Sequence, residues 1–314
     1  MTHSKRQHYV PRFLLKNFIN EKDQKLFVYD LQEMKSFKTG PNNIAVEKGF
    51  YDIEVGDEIF TIEDDLSVLE SKSANIINLI IENQSIKNLS DKQKFVLSKF
   101  IAIQYLRTYH IQNTMNEHNK DIIDFIKSLG HDISEIENFT KINREETKIM
   151  AIKMILNSSD KFAKLIYNKE WILTKVKGDK DFFISDHPVT LNNQLDFSPL
   201  GNIGFAVKGI EIHMPISNNL SLLLICPSWA KEIKKSIKKI NNMAMYGFLT
   251  KKFLRRSKPI IELNKSIKNK EVLISETENV KYKNHLQICY ANRWVYSPNG
   301  DFSLVERAIG EDNI

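Results

Sequence analysis

Near residue 168 the spacing of apolar residues changes, and no other feature limits the fold of this chain as strongly. Before that point they recur every three or four positions, as on helices; after it they alternate or run in short blocks, as on strands. Leu66, Leu69, Ile76, Ile77 and Ile80 predict a helix over 62–83, capped by Thr61 and opened by Glu63, Asp64 and Asp65 at its positive end. Ser90 predicts the cap of a long helix whose apolar face runs through Val96, Phe100, Ile103 and Ile111, breaking near Asn113 or continuing towards Leu129. A third helix is expected over 144–167 and a short one over 11–19, with a hairpin of 25–30 and 35–37 between the short helix and a loop over 41–52.

In the second half, strands are expected at 171–176 and 181–185 around a Lys177-Gly178-Asp179 turn, and at 210–216 and 220–226 around Ser217-Asn218-Asn219. Further strands are expected at 286–290, 294–296 and 302–304, and two basic helices at 229–240 and 242–254. The polar stretches 130–143 and 264–284 read as loops. Helices first and strands later specify an α+β fold, with the helical half packed on a mainly antiparallel sheet. We read 1–314 as one domain with a mainly helical part, 1–167, and a mainly β part, 168–314.

Charge and cysteine content narrow the class. The net charge is +6, yet 231–258 alone carries ten basic residues against Glu232. Lys234, Lys235, Lys238 and Lys239, then Lys251, Lys252, Arg255 and Arg256, make a candidate nucleic-acid surface or, equally, a solvated helix face. Cys226 and Cys289 sit among apolar neighbours and read as buried thiols, with no disulfide framework and no zinc motif. The opening residues lack a signal-peptide core and no apolar run could span a bilayer, so the expectation is a cytoplasmic protein with no membrane partner. There is no phosphate-binding glycine loop, dinucleotide fingerprint, nucleophile elbow or zinc-protease helix, and no organic cofactor is expected.

Six residues could carry chemistry. His8 stands before Pro11, which holds Val10 extended; it could act as acid, base or ligand, or simply bond within the core. Glu63 and Glu70, seven apart, share one helix face, as acid and base, metal ligands or a solvated stripe. Gln104 and Arg107 interrupt an apolar face three residues apart, and a buried Arg107 needs an acidic partner, Glu70 or Glu63. Asp186 closes a strand before Pro188, where catalytic groups and Asx-turns both occur.

The opening Gln7-His8-Tyr9-Val10-Pro11-Arg12-Phe13-Leu14-Leu15-Lys16-Asn17-Phe18 resembles the start of a bacterial family known as domain of unknown function 4238. The resemblance continues through Phe50-Tyr51, Glu63, Glu70, Gln104 with Arg107-Thr108, and Phe183-Ile184-Ser185-Asp186-His187-Pro188-Val189. His187 stands where the family more usually has Asn. The resemblance names no reaction but selects the same six polar residues. Together they suggest a hydrolase of nucleic acid or nucleotides, such as a nuclease-like defence effector. In that reading Glu63, Glu70 and Asp186 bind magnesium or manganese, His8 is base or further ligand, and Arg107 holds a phosphate. The alternatives are a non-enzymatic sensor or binding module with a structural polar network, and a metal-free nucleotide or base glycosidase.

Overall fold

The computed structural model describes residues 6–56, 58–131, 143–193, 195, 202–246 and 250–312. Its elements are β1 (Arg6–His8), α1 (Arg12–Lys16), β2 (Leu26–Asp30), β3 (Lys35–Thr39), β4 (Val46–Lys48), β5 (Asp52–Val55), β6 (Glu58–Thr61), α2 (Glu63–Asn83), α3 (Asp91–Leu106), α4 (Tyr109–Ser128) and α5 (Arg144–Tyr167). There follow β7 (Glu170–Val176), β8 (Ile184–Ser185), β9 (Thr190–Asn192), β10 (Glu211–Pro215), β11 (Leu220–Ile225), α6 (Pro227–Met245), α7 (Lys251–Asn269), β12 (Leu273–Ser275), α8 (Thr277–Tyr290), β13 (Trp294–Ser297) and α9 (Ser303–Asp312). The fold is α+β, with mostly antiparallel sheets.

The larger sheet runs β12-β7-β11-β10-β9, antiparallel except for β12 against β7. Alternation divides its residues between two faces. Trp171, Leu173, Leu191, Ile212, Met214, Leu222 and Leu224 enter the main core with α1, α2, α3 and α5. Ile172, Leu223 and Ile225 point the other way, onto Ala230 and Ile233 of α6 and Ile267 of α7. A four-stranded sheet, β3-β2-β13-β8, draws its strands from the beginning, middle and end of the chain. Arg293 closes it, its guanidinium bonding both Asp30 carboxylate oxygens at 2.8–3.2 Å.

Several elements differ from expectation for identifiable reasons. The long helix breaks at Arg107-Thr108, without Pro or Gly, because both side chains are pinned: Arg107 to Gln104 and Glu70, and Thr108 to the His187 ring. The segments 286–290 and 302–304 belong to α8 and the start of α9, not to strands. The polar stretch 264–284 is the end of α7, β12 and most of α8. It reads as a loop because the buried face of α8 is itself polar. Asn284 Oδ1 accepts the Phe183 N–H, Gln287 Oε1 accepts the Ser185 N–H, and Gln287 Nε2 donates to the Pro188 carbonyl. These amides pair with a strand edge as a neighbouring strand would.

Strands β7 and β8 do not form a hairpin: β7 pairs with β11 and β12, and β8 with β13 in the other sheet. Within the loop expected over 41–52, β4 pairs with β1, and the β5–β6 hairpin follows it. The stretch 130–143 lies mostly outside the described residues. Cys226 is half-buried and Cys289 exposed, since the helical α8 turns Cys289 outward. No helix among the described residues is long and apolar enough to cross a membrane.

Candidate active site

The first strand is joined to the β5–β6 hairpin by one amide. Gln7 is buried at the middle of β1. Its Oε1 accepts the Tyr51 N–H at 2.7 Å, and its Nε2 donates to Asp52 Oδ1 at 2.7 Å and Thr61 Oγ1 at 3.3 Å. The Tyr51 hydroxyl donates to the His8 carbonyl at 3.1 Å. His8 is thereby held against the hairpin that leads directly into Glu63. Neither Gln7 nor Tyr51 stands among the six candidates, although both lie within segments that carry the family resemblance.

Beneath them sits Arg107, whose side chain is 1% exposed. Its Nη1 donates to Glu70 Oε1 at 2.6 Å, and its Nε donates to Gln104 Oε1 at 2.9 Å. Gln104 Nε2 donates in turn to the Tyr9 carbonyl at 2.9 Å. Every polar group of this chain of contacts has a partner, so the guanidinium costs far less to bury than an isolated charge.

The outer members differ. His8, Glu63 and Glu70 are only half-buried. Burial, then the neighbouring Glu70 carboxylate, pushes the Glu63 carboxyl up to about 7, against the opposing pull of Arg107. Burial lowers the His8 imidazole from its ordinary value, while a bond to the Pro41 carbonyl opposes this. His8 Nε2 has no hydrogen-bond partner. Thus one carboxyl is raised to about 7, a second is fixed in an ion pair, and a buried imidazole nitrogen is without a hydrogen-bond partner. A carboxyl raised by burial beside a carboxylate held in an ion pair is an arrangement that can divide the roles of general acid and charge stabiliser.

Asp186 is not part of this group. It is 2% exposed, and its carboxylate accepts the backbone N–H groups of Asn292, Arg293 and Trp294 at 2.8–3.0 Å. Burial raises it to about 6, against those three amides. It clamps the start of β13 to the end of β8. With Asp186 so engaged and Glu70 already paired to a guanidinium, the expected metal ligands Glu63, Glu70 and Asp186 do not form a set. Among the described residues no three His, Cys, Asp or Glu side chains are grouped to hold a metal ion. These donors do not fit magnesium or manganese. His187 is sealed, packed between Tyr105, His110 and Tyr290.

Lys234, Lys235, Lys238, Lys239, Lys251, Lys252, Arg255 and Arg256 are all exposed. They lie on α6 and α7, on the outer face of the larger sheet, whereas α2 and α3 belong to the core on its other face. The structure therefore does not bring the basic helices and the Glu63 cluster onto one surface. A groove of about 610 Å³, lined by Lys48, Asp52, Glu54, Ile59, Glu145 and Lys148, borders the cluster through Asp52, which also helps to raise Glu63.

The family model for "Protein of unknown function (DUF4238)" matches residues 6–301. The chain belongs to this family. No curated protein and no solved structure matches it. The DUF4238 match extends well past the second hairpin, where the resemblance in sequence is diffuse, and takes in α8 and β13.

Proposed function

We propose that this DUF4238 protein is a metal-independent hydrolase that cleaves the glycosidic bond of a nucleoside or nucleotide. The observation that carries the proposal is the half-buried Glu63 carboxyl, raised to about 7 beside the Arg107-bound Glu70. Glu63 gives its proton to the departing base, and Glu70 stabilises the positive charge that develops on the sugar. His8 Nε2, buried and unpartnered, takes a proton from the attacking water once that water has entered beside it. The water's oxygen ends on the sugar carbon and the base leaves protonated. In this reading substrate enters from the groove that Asp52 lines.

The test is release of free base from nucleosides, nucleotides, RNA and DNA in the presence of EDTA, comparing wild type with Glu63→Gln. Loss of a positioned general acid lowers kcat by about 10²–10⁴-fold. Wild-type activity should fall as pH rises through about 7, where Glu63 loses its proton. No base release by wild type, equal release by E63Q, or activity abolished by EDTA would each overturn the proposal.

A second reading is favoured by the sealing of Arg107: the cluster ties β1 to α2 and α3 in a non-enzymatic binding module. Under that reading E63Q changes no turnover, because there is none. Separately, the exposed basic helices suit a nucleic-acid backbone. Lys234→Glu with Lys238→Glu should weaken DNA or RNA retention at low salt and leave base release from a free nucleoside unchanged. Unaltered retention removes nucleic acid as a partner of that face.

A further inference from the structure

Cys226 stands between β11 and α6, as the N-cap of a 19-residue helix. Pro227 follows it and has no N–H, so the first donor that this positive helix end presents is the Ser228 amide. The Ser228 hydroxyl donates to Cys226 Sγ at 3.0 Å. Ser228 also lines a groove of about 380 Å³ with Leu195, Lys208 and Trp229. Cys226 itself is half-buried, so a small solute can meet its sulfur.

A lysine stands across from it. Ile225 pairs with Glu170, and one step further the antiparallel strands bring Lys169 opposite Cys226. Lys169 is 6% exposed. Among the described residues its ammonium makes no hydrogen bond and no ion pair, and the charge that acts on it is that of Cys226. The adjacent acid, Glu170, alternates to the other face and lies 3.6 Å from Lys270. A buried ammonium without a carboxylate is short of an anion, and the acid beside this one is a thiol. Burial raises the Cys226 thiol, but the Ser228 hydroxyl, the Ser228 and Gly209 N–H groups and Lys169 outweigh it and bring the thiol below its ordinary value. Thiols at a helix N-terminus beside a lysine ionise readily, and the thiolate is the reactive form.

We propose that Cys226 is a site of reversible oxidation by hydrogen peroxide, its thiolate held by the Lys169 ammonium and the first turn of α6. A sulfur electron pair forms an S–O bond to one peroxide oxygen as the O–O bond breaks. Sulfur is oxidised to a sulfenic acid and the peroxide is reduced. The departing hydroxide takes a proton from Lys169 and leaves as water, and solvent returns a proton to the amine. A small thiol then restores the site: it attacks the sulfenic sulfur with loss of water, and a second thiol displaces Cys226 from the mixed disulfide. This chemistry does not depend on the role of Glu63.

The experiment uses the full chain carrying Cys289→Ser, which leaves Cys226 as its one thiol. Hydrogen peroxide is added near neutral pH with dimedone, and the adduct on Cys226 is followed by peptide mass. The folded protein should form it faster than the same chain unfolded in urea. The ultraviolet absorbance of the thiolate should appear at lower pH in the folded protein than in the unfolded chain. Lys169→Met exchanges a buried charge for an apolar chain of similar length. It should slow labelling by roughly tenfold and move the thiolate to higher pH, as loss of an adjacent opposite charge requires. Ser228→Ala, a surface-side change that tests the same thiolate should Lys169→Met not fold, should act in the same direction and more weakly. No adduct on the folded protein, labelling no faster than in the unfolded chain, or Ser228→Ala and Lys169→Met both reacting and titrating as their parent would overturn the proposal.

Discussion

Removing Arg107 and Glu70 separately and together tests the sealed ion pair most directly. Glu70→Gln leaves a guanidinium that is 1% exposed with only neutral acceptors. An uncompensated buried charge of this kind costs about 3–5 kcal/mol. Arg107→Met leaves no buried charge, since Glu70 is 25% exposed and can be hydrated. Its main cost is the orphaned Gln104 Oε1, about 1–3 kcal/mol. The double variant carries no charge and orphans the same oxygen, so it should cost about what Arg107→Met costs alone. Arg107→Met introduced into Glu70→Gln is therefore expected to restore stability. Urea unfolding followed by the fluorescence of Trp171, Trp229 and Trp294 measures all four proteins. Strictly additive losses, or a loss below about 1 kcal/mol for Glu70→Gln, would refute the description of Arg107 as a buried, Glu70-dependent cation.

Asp186→Ala strips the acceptor from three backbone N–H groups and should cost at least about 3 kcal/mol, while Asp186→Asn, which retains an oxygen, should cost about 1–2; unfolding midpoints within experimental error of wild type for the alanine variant would contradict the clamp. Lys283 is lowered by burial from 10.5 to about 7. Between those values the native state binds fewer protons than the unfolded chain, so stability should rise with pH across that window and fall as pH drops towards 7. Lys283→Met should flatten the dependence, leaving the contributions of Lys94 and Lys169, which burial also lowers. An unchanged slope of urea midpoint against pH would show that Lys283 is not desolvated.

The sequence made the α+β class legible through its periodicity, and the Ser90 cap is realised as a capping box with Gln93. The Arg107–Glu70 contact was also legible, because a charge on an apolar helix stripe demands a partner. Other features depended on contacts distant in sequence. The α3–α4 break goes with the pinning of Arg107 by Gln104 and Glu70 and of Thr108 by His187, and the last of these contacts comes from seventy-nine residues away. The α8 segment hides its helix because its buried face is made of Asn284 and Gln287, which resemble surface residues until the β8 edge is beside them. Asp186 looked catalytic because strand ends often are. Its carboxylate is instead consumed by amides more than a hundred residues further on.

The pairing of β2 with β13 has a consequence for synthesis. The Arg293–Asp30 contact spans 263 residues, and β13 is also the strand on which β8 depends. At about 5–20 residues per second, the β2–β3 hairpin waits some 13–50 s after its own translation for its neighbour to appear. Throughout that interval the open edge of β2 is a template for pairing with another nascent chain. Slow translation or a stall between α5 and β13 should therefore lead to aggregation, and shielding of that edge by a chaperone would raise the yield of folded protein.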